Sequence, residues 1–106
     1  MIQWFKRLFG SFENKPSLTA LMQEGAILLD VRTPGEYANG SVPKAVNIPL
    51  DQLVSKCGRY SKQTPIIVFC RSGWRSQQAR RILEQLGYER IYNGGGVHTV
   101  RKQLKK

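Results

Sequence analysis

The stretch Pro65-Ile66-Ile67-Val68-Phe69-Cys70-Arg71-Ser72-Gly73-Trp74-Arg75-Ser76 decides how this chain is interpreted. Its apolar start, residues 65–69, predicts a strand that is buried on both faces, as in a parallel sheet. A Gly-containing turn and a helical pattern follow, which sets Cys70 at the carboxyl end of the strand. Such a turn directs consecutive backbone N–H groups towards one point, and we expect an anion-binding loop there.

Cys70 is the candidate nucleophile of this loop. Four arginines within the next eleven residues favour its thiolate over its thiol: Arg71, Arg75, Arg80 and Arg81. The alternative is a structural cysteine that only fills the core. The sequence Arg-Ser-Gly continues a core strand poorly, and Gly73 allows the backbone of a turn, so we favour the catalytic interpretation. The predicted loop consists of Arg71, Ser72, Gly73, Trp74, Arg75 and Ser76.

Patterns on both sides of this stretch predict strands that alternate with helices. Strands are expected at residues 26–31, 45–48, 65–69 and 90–92, and helices at residues 18–23, 36–39, 50–60, 76–86 and 97–103. This order is typical of an α/β sandwich around a parallel sheet.

A second pair of polar side chains falls at a predicted strand end. Asp30 and Arg32 follow the apolar run of residues 26–29. Because ligand crevices of open α/β sheets lie beyond the carboxyl ends of the strands, we expect both residues to lie near Cys70 as supporting residues. The alternative is a structural role, in ion pairs with neighbours such as Glu36.

Size and charge limit the classes of partner. The 106 residues fit one domain, and 17 Lys and Arg against seven Asp and Glu give a formal net charge of +10. Small anions are the simplest partners, and no nucleic-acid motif accompanies the charge. A Cys57–Cys70 disulfide would consume the nucleophile, so we expect a reducing, cytoplasmic setting. We expect neither a cofactor nor a metal.

The amino end is predicted to be an amphipathic extension of residues 1–14, ahead of a single domain of residues 15–106. Its apolar residues recur at helical spacing around Lys6 and Arg7: Ile2, Phe5, Leu8, Phe9 and Phe12. Packing on the domain or self-association is favoured, and weak peripheral membrane contact through residues 1–12 is the alternative. The two charges exclude a signal peptide here, and no segment is long enough to span a bilayer.

Three segments together resemble the rhodanese family of sulfurtransferases, over roughly residues 17–100. They are the run 29–40 followed by 45–49, the run 68–76 and the glycine-rich run 93–96. The resemblance implies a three-layer sandwich with a central parallel sheet flanked by helices. It also implies that Cys70 takes a sulfane sulfur from thiosulfate or a related small anionic donor and forms a persulfide. The acceptor would be cyanide or a thiol, including a thiol on another protein.

The resemblance also implies roles for the neighbouring residues. The amides of residues 71–76 would hold the anionic persulfide, and Arg75 would brace the loop or bind the oxyanion. Asp30 and Arg32 would organise the pocket.

Four positions depart from the family pattern, with Ser41 in place of histidine, Lys44 in place of glycine and Val100 in place of tryptophan. Trp74 stands where polar residues are usual. It would close the pocket to large acceptors, offer a landing site for a partner, or pack against its own domain.

Two other functions are compatible with these residues. Cell-cycle phosphatases are similar in fold, but their loops carry five residues between cysteine and arginine, whereas four lie between Cys70 and Arg75. Phe69 also stands where a phosphatase has histidine. The second alternative is a persulfide carrier or partner-binding module that serves a dedicated protein acceptor. In such a relay Cys57 would assist, although its helical position favours packing.

Overall fold

A four-stranded parallel sheet forms the centre of the domain. The computed structural model describes residues 16–105, so the predicted extension and its membrane contact lie outside the described residues. The strands are β1 (Ile27–Asp30), β2 (Val46–Asn47), β3 (Ile66–Cys70) and β4 (Ile91–Gly96), in the order β2-β1-β3-β4. All three neighbouring pairs are parallel, which confirms the predicted sheet.

The central strand β3 explains why the sheet is covered on both faces. All five of its residues are buried. Because successive side chains of a strand point to opposite faces, Ile66, Val68 and Cys70 join one apolar cluster, while Ile67 and Phe69 join the other. A continuous apolar run is what this two-sided burial requires.

Five α-helices of the described residues surround the sheet: α1 (Leu18–Gln23), α2 (Pro34–Ala38), α3 (Leu53–Lys56), α4 (Trp74–Gln85) and α5 (Val97–Leu104). Apolar residues of α1 and α5 cover the face that holds Phe69, and apolar residues of α3 and α4 cover the face that holds Cys70. The predicted three-layer sandwich is therefore confirmed. Caps fix two helix starts, with Ser17 capping α1 and Thr33 forming a capping box with Glu36 on α2.

The prediction of one continuous helix over residues 50–60 is wrong. Short 3₁₀ turns at Leu50–Gln52 and Cys57–Arg59 flank the single α-helical turn of α3. Leu53 and Cys57 are the buried residues of this segment, and they lie four positions apart. With so few anchors to the core, and no side-chain caps, the segment follows the core surface in short turns.

Other element boundaries also differ from the prediction, such as the helix expected at 36–39, which spans Pro34–Ala38, and two of the differences bring backbone closer to Cys70. Helix α4 begins at Trp74 rather than Ser76, because the turn ends at Gly73, which has a φ of 95°. Strand β4 extends to Gly96 rather than ending at Tyr92. The glycines continue the ladder beside β3, where Gly95 pairs with Phe69 and Gly96 pairs with Cys70.

Candidate active site

Cys70 is the last residue of β3, and its side chain points to the face covered by α4. The residue is only 1% exposed. The backbone N–H of Gly73 donates to its Sγ at 3.0 Å, and the hydroxyl oxygen of Ser76 lies 3.6 Å from the same atom. The loop thus folds over the sulfur and presents hydrogen-bond donors to it.

These donors decide the ionisation of Cys70. Burial by itself raises the pKa of the thiol, because it disfavours the charged form. Hydrogen bonds from the backbone and hydroxyl of Ser76 and from the backbone of Ser72 and Gly73 favour the thiolate and outweigh burial. The pKa of Cys70 is therefore lower than that of an ordinary cysteine, which increases the fraction of the nucleophilic form.

Glycines of β4 allow the loop to approach the sheet. A Cβ on Gly96 would lie 2.5 Å from the carbonyl oxygen of Arg71, and a Cβ on Gly73 would lie 3.4 Å from Cα of Gly95. Gly73 also needs its positive φ, which other residues rarely adopt. The glycines of the run 93–96 thus form a platform that the loop approaches closely, which a side chain at Gly96 would prevent.

Asn93 connects this platform to the loop, and the sequence did not identify it as a site residue. Its Oδ1 accepts the Ser76 hydroxyl at 2.7 Å and the Gly95 N–H at 2.9 Å. Its Nδ2 donates to the Gly73 carbonyl at 3.3 Å. The available signal was a polar residue directly after the predicted strand of residues 90–92. Such a residue requires hydrogen-bond partners when it is shielded from water.

Arg75 is held by a carboxylate from another element. Its guanidinium donates to both oxygens of Glu36 on α2, at 2.7 and 3.0 Å. This contact, followed by the Thr33 backbone N–H, lowers the pKa of Glu36 to about 2. Of the two roles predicted for Arg75, this geometry favours bracing the loop. In the described part of the chain, the exposed Arg71 guanidinium has no hydrogen-bond partner.

Asp30 and Arg32 form a buried pair at the end of the neighbouring strand. Arg32 donates to both Asp30 oxygens, with Nη2 to Oδ2 at 2.8 Å and Nε to Oδ1 at 3.0 Å. The structural ion pair of the alternative interpretation thus forms between Asp30 and Arg32 themselves and not with Glu36. The strand ends lie side by side, since Asp30 pairs with Phe69 across the sheet. The structure thus brings Asp30, Arg32 and the Cys70 loop to one edge.

The departures from the family pattern have local explanations. The Ser41 hydroxyl donates to Asp30 Oδ2 at 2.7 Å, and Lys44 adopts a φ of 74°, where glycine is favoured. Val100 is fully buried, and its Cγ2 would lie 2.8 Å from a Cβ placed on Gly94. Trp74 is 73% exposed, so the alternative in which it packs against its own domain is wrong.

Two other candidate features contribute no residue to the Cys70 loop. Cys57 is buried in the core, and both cysteines are free. A cleft of about 700 Å³ between α1, residues 41–44 and α5 is lined by Lys44, Arg101 and Lys105, but by no residue of the Cys70 loop. Within residues 16–105 there is no cluster of three potential metal-ligating side chains, and no helix there is long and apolar enough to cross a membrane.

The fold and the site define an α/β domain with a buried cysteine of lowered pKa, held by the donors of a loop at the carboxyl edge of its sheet. The Rhodanese-like domain family matches residues 14–98. A sulfurtransferase of Allochromatium vinosum is 39% identical over 83 residues, which cover 76% of this chain and 78% of that protein. A human thiosulfate:glutathione sulfurtransferase is 34% identical, with 86% of this chain and 90% of that protein covered.

Solved structures agree with these sequence matches. A human single-domain sulfurtransferase superimposes with a TM-score of 0.66 and 28% identity, over 88% of this chain and 98% of that one. A rhodanese of E. coli with bound anions gives a TM-score of 0.63 and 32% identity, over 70% and 89% of the chains. The chain therefore belongs to the rhodanese family, and its general activity is that of a sulfurtransferase.

Proposed function

We propose that the protein transfers the outer sulfur of thiosulfate, or of a related anionic donor, through a persulfide on Cys70. The single observation that carries this proposal is the buried Sγ with donors from the loop around it, at 3.0 Å for the Gly73 N–H. Such a site stabilises an anion on sulfur without a neighbouring base. Relatives from E. coli and human are among those named as acting on thiosulfate.

In the loading step, the Cys70 thiolate attacks the outer sulfur of thiosulfate. A new S–S bond forms, the S–S bond of the donor breaks, and sulfite leaves with the bonding electron pair. The persulfide anion and sulfite dianion together carry the charge of the reactants, so no proton or oxidant is needed. The N–H groups that held the thiolate then face the persulfide, while the exposed Arg71 supplies positive charge for the leaving sulfite.

In the unloading step, an acceptor anion attacks the outer sulfur of the persulfide. Cyanide gives thiocyanate, and a thiolate gives a new persulfide, while the Cys70 thiolate is released in both cases. Asp30 and Arg32 support this chemistry only through structure, since each satisfies the charge of the other. Their role in this proposal is to hold the end of β1 beside the loop.

A phosphatase and a persulfide carrier are the two alternative functions. A phosphatase would need its loop arginine on the phosphate, whereas Arg75 is engaged by both oxygens of Glu36. A persulfide carrier for a dedicated protein acceptor is favoured by one observation, the exposed Trp74 at the start of α4 beside the loop. One relative from Bacillus subtilis, 31% identical, is named as a putative sulfur carrier protein.

The test is a thiosulfate-to-cyanide assay that measures thiocyanate, with Cys70→Ser and Cys57→Ser compared with wild type. We expect wild type and Cys57→Ser to form thiocyanate and Cys70→Ser to form none. If wild type turns over with a protein thiol but not with cyanide, the carrier alternative replaces the proposal. No turnover by wild type with either acceptor would refute sulfur transfer from thiosulfate.

A further inference from the structure

The side-chain amide of Asn93 has a fixed orientation between β4 and the Cys70 loop. Its Oδ1 accepts from the Gly95 N–H at 2.9 Å, and its Nδ2 donates to the Gly73 carbonyl at 3.3 Å and to Oε1 of Gln77 at 3.2 Å. A backbone N–H can only donate and a carbonyl can only accept, so the reversed amide would lose these bonds. Oδ1 is therefore the atom that faces Ser76.

This orientation determines where the Ser76 hydroxyl hydrogen points. Ser76 Oγ lies 2.7 Å from Asn93 Oδ1, which accepts its one hydrogen. The lone pairs of Oγ then face Cys70 Sγ at 3.6 Å and accept the S–H of the thiol. In the thiol form the hydrogen bonds thus run in one direction, from Cys70 to Ser76 to Asn93.

The thiolate requires the opposite arrangement at Ser76. Once Cys70 has lost its proton to solvent, Sγ can only accept hydrogen bonds. A Ser76 hydroxyl that still donated to Asn93 would direct its lone pairs at the sulfur anion and repel it. The hydroxyl hydrogen stays on Oγ but turns from Asn93 to sulfur. Asn93 Oδ1 still accepts the Gly95 N–H, so the rotation of the Ser76 hydroxyl does not leave Oδ1 without a hydrogen bond.

We propose that Asn93 is a positioning residue, which holds the Ser76 hydroxyl hydrogen while Cys70 is a thiol and yields it to the sulfur anion. The sulfur anion is the Cys70 thiolate and, during sulfur transfer, the persulfide; only the persulfide case rests on the proposed function. Because the Gly95 N–H also donates to Oδ1, moving the Ser76 hydrogen bond from Asn93 to Sγ costs little free energy. Asn93 touches neither donor nor acceptor, and it acts through Ser76.

Other charges around Cys70 stay constant while the thiol titrates. From α2, Glu36 is paired with Arg75 and has a pKa of about 2. From the end of β1, Asp30 is paired with the always-charged Arg32, and the loop adds Arg71. β4 contributes uncharged residues beside the loop. A change in the titration of Cys70 between neutral and alkaline pH therefore reports on its hydrogen bonds.

The first test measures the pH dependence of Cys70 alkylation by iodoacetamide, located by peptide mass mapping, in Asn93→Asp, Ser76→Ala and the double variant. A carboxylate at position 93 holds the hydroxyl hydrogen more strongly than the amide does and repels the thiolate. We expect Asn93→Asp to raise the alkylation midpoint by about one pH unit, Ser76→Ala to raise it less, and the double variant to fall short of their sum. Additive shifts, or a wild-type midpoint in Asn93→Asp, overturn the proposal.

The control is Tyr88→Phe, which removes buried hydrogen bonds to the Cys57 and Tyr60 carbonyls beyond the far end of α4. It lowers stability without a contact to the loop. We expect its alkylation midpoint to equal that of wild type. A shift in this variant equal to that of Asn93→Asp would mean that lost stability alone moves the midpoint, which overturns the proposal.

A second measurement needs no variant of Asn93. The amide proton of Gly95, followed by NMR, is expected to titrate with the Cys70 midpoint in wild type, because Oδ1 becomes a better acceptor when the hydroxyl turns away. Ser76→Ala is expected to lose that titration, and a titration that persists unchanged overturns the proposal. Neither measurement uses thiosulfate, so failure of sulfur loading would refute the proposed function and leave this inference to be judged separately.

Discussion

The two strand ends that meet at the site hold negative charge in different ways. At the end of β1, the buried Asp30 carboxylate is neutralised by Arg32 at 2.8 Å. At the end of β3, the sulfur of Cys70 is surrounded by uncharged donors from its own loop. A carboxylate with a full counter-ion is committed to structure, whereas an anion held by neutral donors keeps its reactivity. Of two neighbouring strand ends, the end of β1 thus contributes to stability, and the end of β3 carries the reactive group of the proposed function.

Removing charge from the β1 end should have the largest effect on stability. Asp30→Asn leaves the Arg32 guanidinium buried without a counter-ion, and we expect a loss of about 3–5 kcal/mol in the free energy of unfolding. Urea unfolding followed by circular dichroism measures this. The control is Glu84→Gln in the exposed Arg80–Glu84 pair, for which we expect a change within about 0.5 kcal/mol. Equal effects of the two variants would contradict the structural role of the β1 end.

The loop at the β3 end should fail when its platform gains a side chain. Gly96→Ala places a Cβ 2.5 Å from the Arg71 carbonyl oxygen, so the loop must move away from β4. We expect a stability loss of about 1–3 kcal/mol, together with loss of most sulfur loading, because the donors around Sγ are displaced. Gly58→Ala is the matched control, since its new Cβ would meet nothing within 4 Å. Normal loading by Gly96→Ala would show that the loop does not need this close contact.

Loss of the contact between Arg75 and Glu36 should affect the rate of sulfur loading more than the stability of the fold. Arg75→Ala removes a partly exposed pair with Glu36 and loosens the end of the loop. We expect sulfur loading from thiosulfate to slow about tenfold, which corresponds to roughly 1.4 kcal/mol, while the protein stays folded. Mass spectrometry of samples quenched at successive times measures the rate of loading. Arg80 was expected to favour the thiolate, but it is paired with Glu84 at an exposed position on the same helix, so Arg80→Ala should load at the wild-type rate. An equally slow Arg80→Ala would contradict a specific role for Arg75.

The smallest expected effect is the acid dependence of this same pair. Arg75, followed by the Thr33 N–H, lowers the pKa of Glu36 from an ordinary 4.5 to about 2. Because the pKa is lower in the folded state, the pair stabilises the protein fully above the ordinary value and loses this contribution as the pH falls towards 2. We expect wild type to be more stable than Glu36→Gln at neutral pH, with the difference shrinking between about pH 5 and 2. A pH-independent difference in unfolding midpoints would rule out this contribution.

Local patterns were sufficient to predict the elements around Cys70. The apolar run of β3, the turn at Gly73 and the helix behind it all follow from residues that are neighbours in the sequence. The order of strands and helices then sufficed for the parallel sheet. Even the placement of Asp30 and Arg32 at an adjacent strand end needed only the general rule for such sheets.

Contacts between distant segments were not predictable in the same way. Arg75 and Glu36 lie 39 positions apart, and Asn93 lies 17 positions from Ser76. These pairs depend on the register of β4 and on where α2 packs, which no local periodicity specifies. The extension of β4 through Gly96 was missed for a related reason. Glycine has low strand propensity, and here the close approach of the loop outweighs it.

The central claim is that Cys70 carries the transferred sulfur, and intact mass spectrometry tests it most directly. Wild type, Cys57→Ser and Cys70→Ser are incubated with thiosulfate under non-reducing conditions, and peptide mapping then locates any added mass. We predict a gain of one sulfur atom on Cys70 in wild type and in Cys57→Ser, its removal by cyanide, and no gain in Cys70→Ser. A sulfur atom found on Cys57, or an equal gain in Cys70→Ser, would contradict the account.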